Sequence, residues 1–146
     1  MADKQFFFTQ RAWGQSHPEG TGLGEKWSVA NDEGEIRFAQ GVRIGDVVYV
    51  AGQVAWGKNG NIVGSDLLTQ SRQIFRNIAE ILDLAGASLT DVVRLTQYFV
   101  DMRDIRAYRQ ARREAMPGVT CITTGIQVAR MTHPDLLLEI EAMAVV

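Results

Sequence analysis

The chain has 146 residues, 46% hydrophobic and 22% charged, with a net charge of −2. That length fits one domain with its own core, and so small a charge excludes a global pull toward nucleic acid or an anionic membrane. The single cysteine, Cys121, excludes an intrachain disulfide, and no apolar run nears the roughly 20 residues a membrane-spanning helix needs.

The N-terminus "MADKQFFFTQ" lacks the apolar core of about 7–15 residues that a signal peptide carries, so a cytoplasmic protein is expected. Residues 1–35 are predicted to be an N-terminal extension crossing the surface, and residues 36–146 the folded domain. In the extension, "GTGLG" lacks the full G-x-G-x-x-G pattern and no strand precedes it, so it reads as a connector rather than a phosphate loop. Trp13 and Trp27 are expected to anchor the extension on the body or on a neighbouring subunit.

From Ile36 the pattern becomes regular. "IRFAQGVRIGDVVYVAGQVAW" reads as a hairpin turning at "RIGD", and Asn59-Gly60 signals a further short turn. Leu67, Ser71, Ile74, Phe75, Ile78, Ile81, Leu82 and Ala85 recur at helical steps. They form one face of a helix capped by Ser65 or Asp66 and ended by Gly86. "SLTD" is a short capping signature, and "VVRLTQYFVD" reads as a buried or half-buried strand. "DMRDIRAYRQARREAM" reads as a second helix, capped by Asp101 and stopped near Pro117. Two strands around "MTHPD" close the chain.

The order β-β-(β)-α-β-α-β-β points to an α+β or α/β sheet with both helices on one face. Strands such as "VVYVAG" and "LEIEAMAVV" are apolar on both sides, so the other face needs a partner, and an oligomer would supply it.

The hairpin "QGVRIGDVVYVAGQV", the segment "QSRQIFRNIAEILDLAGASLTDVVRLTQYFVDMRDI" and the ending "VARMTHPDLLLEIEAMAV" resemble the reactive-intermediate deaminase family, also known as the Rid, YjgF or endoribonuclease L-PSP family. The likeness runs from about Ile36 to Val146. It implies an α+β, chorismate-mutase-like fold, assembly as a homotrimer, and clefts between subunits that bind a small molecule. It implies hydrolysis of reactive imines and enamines to ketones and ammonia, with no metal or organic cofactor. Glu139, in "EIEA", stands where the family places the glutamate near the attacking water. Glu141 is the second acid on that strand face. Another reading has both acids pairing with arginines at the subunit seam.

The likeness also brings departures. Thr123 stands where the family's carboxylate-binding arginine would be. Phe38 replaces an aromatic hydroxyl, and Ala51 a small hydroxyl residue before "GQ". Arg130 matches a different arginine of the family. Arg109 occupies a helix position where relatives carry Asn, and either supplies the lost cation or faces solvent. Gly52 offers backbone N–H groups to a ligand, or merely bends the strand end. Thr123, Thr124 and Gln127 are alternative hydrogen-bonding groups.

Arg103, Arg106, Arg109, Arg112 and Arg113 crowd the second helix. They read as a solvated or subunit-bridging face in preference to an RNA-contacting stripe, since Asp101, Asp104 and Glu114 dilute their charge. His133 reads as a loop residue and Cys121 as a structural thiol. Two isolated histidines and one cysteine do not make a metal site. The expected function is a Rid-like hydrolase using Glu139, with Thr123, Phe38, Ala51, Gly52 and Arg109 shaping its pocket. Its rivals are a non-catalytic ligand-binding or protein-stabilising relative, and an RNA-cleaving translation inhibitor.

Overall fold

A computed structural model describes residues 3–7 and 39–146 of the chain. Phe38, Trp13, Trp27, His17 and the "GTGLG" segment lie outside the described residues. Among the described residues, six strands make one sheet: β1 Lys4–Phe7, β2 Gly41–Ile44, β3 Val47–Gln53, β4 Val92–Phe99, β5 Ile122–Gln127 and β6 Leu138–Val145. Their order across the sheet is β1-β2-β3-β6-β4-β5. Every neighbouring pair is antiparallel except β4 and β5, which are parallel. A parallel pair needs a crossover, and helix α2 (Ile105–Ala115) is its crossing segment. Helix α1 (Leu67–Leu84) packs on β3 and β6, and the two helices pack on each other on the same side of the sheet.

The expected hairpin is present, with Gly45 at φ +60 in the turn between β2 and β3. The bracketed third strand shrinks to one bridge, Trp56 to Ile62, around a turn in which Gly60 takes φ +76. Inside the expected N-terminal extension, Lys4–Phe7 is an edge strand paired with β2. Its four residues, Lys-Gln-Phe-Phe, carry no alternation and are too few to stand out.

All eight stripe residues of α1 are buried. Asp66 is the N-cap: one carboxylate oxygen accepts from Thr69 N–H at 2.9 Å. Gly86 follows the helix at φ +74, a backbone shape that a Cβ disfavours. The second helix corrects its expected start. Asp101 does not cap it; its carboxylate clasps the backbone N–H and guanidinium of Arg103. Asp104 is the N-cap, so α2 begins at Ile105.

Of the four buried polar side chains of α1, Ser71 bonds back to Leu67 O in its own helix, and the other three tie the helix to the loops beyond β3 and before β6. Asn77 donates to the carbonyls of Val54 (2.9 Å) and Trp56 (3.0 Å), just beyond β3. Gln73 donates to the Asn77 side-chain carbonyl at 2.7 Å. Gln70 donates to Asp135 O (2.7 Å) and accepts from Leu137 N (2.9 Å), just before β6. The helix therefore sets how the end of β3 meets the start of β6, the place where the candidate acid sits.

Candidate functional site

Side chains alternate across a strand. On β6, Leu138, Ile140, Ala142 and Ala144 are buried against the helices, so Glu139, Glu141, Met143 and Val145 project from the opposite, open face. Glu139 lies opposite Tyr98 of β4, and Glu141 opposite Thr96.

The two acids have different surroundings. Tyr98 donates its hydroxyl to Glu141 at 3.2 Å. Glu139 has no hydrogen-bond partner among the described residues and is half-buried. Its carboxylate lies over Gly52, where β3 bulges between Val50 and Gln53. A Cβ on Gly52 would stand 1.9 Å from the Glu139 Oε1, so only glycine leaves room for the acid there. Burial, and then the charge of Glu141, pushes the Glu139 pKa above the ordinary glutamate value. Burial disfavours the charged form, and a like charge adds to the effect. The arrangement is a desolvated carboxylate with free lone pairs, suited to accept a proton from water.

Ala51 lies on the same open face and lines a cavity of about 450 Å³ with Tyr49, Arg94, Thr96, Glu141 and Met143. Gly52 and Glu139 are thus brought together, while the cavity that Ala51 lines holds Glu141 rather than Glu139. Thr123 is not brought beside them within one chain. Its register partner is Leu95, which is buried against the helices, so Thr123 belongs to the helix side of the sheet. Thr124 pairs with Thr96 and belongs to the open side. Gln127 is engaged, its side-chain oxygen accepting from Met102 N at 3.2 Å. Arg109 is exposed beside a hollow of about 540 Å³ at the end of α2, shared with Arg112 and Arg113. His133 accepts from Asp135 N at 3.1 Å and sets its ring edge against Trp56, which makes it a loop-fixing residue.

The fold agrees with three comparisons. The model of the family described as Endoribonuclease L-PSP matches residues 32–146. The chain belongs to the endoribonuclease L-PSP family. A RutC family protein of Pyrococcus horikoshii is 35% identical over 108 residues, 73% of this chain and 85% of that protein. The 2-iminobutanoate/2-iminopropanoate deaminase of Salmonella typhimurium is 30% identical over 115 residues, 74% of this chain and 86% of that enzyme. A crystal structure of a Mycobacterium tuberculosis member of the YjgF/YER057c/UK114 family superposes with a TM-score of 0.68 at 35% identity, covering 75% and 86% of the two chains. Two helices on one face of a six-stranded sheet are thus the fold of this L-PSP family chain.

Sequence reasoning missed Tyr98 as the partner of Glu141. The signal was present: Arg94, Thr96 and Tyr98 alternate with Leu95, Gln97 and Phe99. A two-residue period with a polar side marks one face as functional or half-solvated. Among the described residues, no helix is long and apolar enough to cross a membrane.

Proposed function

We propose that this L-PSP family chain hydrolyses a reactive imine or enamine, or a related small nitrogen compound, in a cleft between subunits of a homotrimer. The observation that carries the reading is Glu139: an unpartnered, half-buried carboxylate with a raised pKa, held over a glycine. The name of the Salmonella relative, an imine deaminase at 30% identity, supports the same chemistry.

In the proposed step, water attacks the imine carbon while Glu139 takes one of its protons. The C=N π pair moves to nitrogen and gives a carbinolamine. Glu139 returns that proton to the nitrogen, then relays the hydroxyl proton to it as the C–N bond breaks, so that ammonia leaves and the C=O forms. The step needs a positioned base and a dry pocket. The apolar open face supports assembly. Tyr49, Ile122, Ile126 and Val145 are exposed there beside Glu139 and Glu141. A second copy laid on that face would enclose the acid.

The test is hydrolysis of freshly generated 2-iminobutyrate. Acceleration by the wild-type chain, and a fall in kcat of about 100-fold or more in Glu139→Gln, is expected for a lost general base. Wild-type turnover in that variant removes Glu139 from the mechanism. Thr123 in place of the family's arginine favours the second reading, a non-catalytic binder, and that reading prevails if no imine is turned over. The RNA reading is weakened by the clasp of Arg103 to Asp101 and by Glu114 beside the other arginines. RNA binding at low salt would revive it.

A further inference from the structure

A water activated by one acid is held at one end only, and a second group on the same oxygen is needed to aim its attacking lone pair. The row of the open face that runs through Glu139 holds Gly52 of β3, Tyr98 of β4 and Ile126 of β5. Gly52 has no side chain and Ile126 no polar side-chain atom. Tyr98 is therefore the one side-chain donor of that row. Other polar groups nearby are engaged or further along the sheet. Gln53 directs its amide to the carbonyls of Ala51 (3.0 Å) and Gly52 (3.3 Å). Thr96 stands across from Glu141, and Arg94 across from Met143, two and four residues beyond Glu139 on β6.

Tyr98 lies directly across from Glu139 yet donates to Glu141. Direct cross-strand partners keep their Cβ atoms about 4.5–5.5 Å apart, so the ring stays beside Glu139 whichever group the hydroxyl bonds. The bond to Glu141 is 3.2 Å long, beyond the roughly 2.5–3.0 Å of a firm O–H···O bond. Glu141 is exposed, so water can replace the hydroxyl there at little cost. The hydroxyl is thus a donor that a ligand oxygen can recruit. Burial first, and then Glu141 through its charge and its hydrogen bond, push the Tyr98 pKa above the ordinary phenol value. The proton therefore stays on the oxygen at pH 7, and Tyr98 remains a neutral donor.

We propose that Tyr98 is a second catalytic residue, whose hydroxyl donates to the oxygen that Glu139 activates and holds it from attacking water to product ketone. This role rests on the proposed imine hydrolysis. The water accepts from Tyr98 with one lone pair, attacks the imine carbon with the other, and gives a proton to Glu139. The same oxygen is then the carbinolamine hydroxyl, still between its donor and its acceptor. As Glu139 removes the hydroxyl proton and the C–N bond breaks, negative charge builds on that oxygen, where a fixed donor counts most. Tyr98 keeps its own proton throughout, so the proton balance of the hydrolysis is unchanged.

The kinetic test is Tyr98→Phe, which removes the hydroxyl and keeps the ring. With 2-iminobutyrate, kcat should fall about 100-fold, as for a lost donor to a developing oxyanion, with KM little changed. The binding test needs no turnover. The probe is 2-hydroxybutyrate, whose tetrahedral C–OH copies the carbinolamine, titrated calorimetrically into the full chain beside butyrate, which lacks the hydroxyl. The wild-type chain should prefer the hydroxy acid about 3- to 10-fold, the range of one neutral hydrogen bond. Tyr98→Phe should bind the two acids equally, a loss that a merely structural tyrosine does not explain. The proposal is overturned if Tyr98→Phe turns over the imine normally, if the wild-type chain shows no preference for the hydroxy acid, or if Tyr98→Phe retains that preference. It is also overturned if Glu141→Gln reproduces the whole kinetic loss, because Tyr98 then acts only through that acid. Turnover that needs Glu139 but not Tyr98 keeps the hydrolase and sinks this role. A hydroxyl preference that depends on Tyr98, without any imine turnover, sinks the hydrolase and leaves Tyr98 as a donor to a bound ligand.

Discussion

Glu139 and Glu141 stand two residues apart on one strand, and their neighbours make them unequal. Tyr98 supplies a hydrogen bond to Glu141, which favours its charged form. Glu139 receives no such bond and feels both burial and the Glu141 charge. Two outcomes follow from the direction of that shift. The acid limb of kcat/KM should lie above the ordinary glutamate range, with activity falling as pH drops through it. Glu141→Gln removes the smaller of the two causes and should move that limb down, though not all the way; a pH–rate profile checks this. Stability runs the other way. The folded state holds the Glu139 proton more tightly than the unfolded state does, so the ionised group is destabilising above its folded pKa and is relieved below it. Glu139→Gln should therefore melt higher than wild type at pH 7, with the gap closing as pH falls through the raised value. Gly52→Ala is a steric test of the same acid. Its Cβ would fall 1.9 Å from Oε1, at the far end of a flexible side chain that can swing away. The fold should survive, with a melting temperature within a few degrees of wild type, while displacement of the base lowers kcat by about 100-fold.

At the scale of elements, legibility depended on where an element's partners lie. The stripe on α1 was legible because one periodic face decides the helix, and every stripe residue is buried. The buried Gln70, Gln73 and Asn77 were not legible. Asn77 and Gln70 bond backbone carbonyls 21 to 65 residues away, which no local pattern encodes. The start of α2 was misread because Asp101 and Asp104 have the same chemistry; only the structure shows that Arg103 occupies Asp101. Tyr98 shows in the two-residue period of β4, but its partner Glu141 lies on β6, 43 residues away, so the pairing itself was not legible. The buried amides make a quantitative prediction. Asn77→Ala removes two hydrogen bonds inside the protein, to the carbonyls of Val54 and Trp56, and should cost about 2 kcal/mol by denaturant titration. Arg72→Ala breaks the exposed pair with Glu114 that joins α1 to α2. It should cost far less and be sensitive to salt, because water and ions screen that pair.

At the scale of the whole molecule, the sheet order places the acid-bearing β6 at the centre and β5 at an edge. All six residues of β5 are exposed. A bare edge with apolar side chains invites pairing or covering, and here Ile122 is 67% and Ile126 44% exposed on the open face. Thr123 of that strand looks toward the helices while Glu139 looks the other way, so the polar groups on the two sides of one sheet cannot meet in one chain. They can meet only where the helix side of one copy approaches the open face of the next. This geometry ties activity to assembly in a way that can be measured. Sedimentation of the wild-type chain should give three times the 16.2 kDa chain mass. Ile126→Asp puts a charge on the exposed apolar strip without touching the helix-side core. It should sediment near the single-chain mass and lose imine turnover while retaining its far-ultraviolet circular dichroism. An intact trimer in that variant would show that β5 is not at the seam. Full turnover by the lone chain would show that Glu139 acts without a second subunit, because an acid on an uncovered sheet face has bulk water, not a cleft, in front of it.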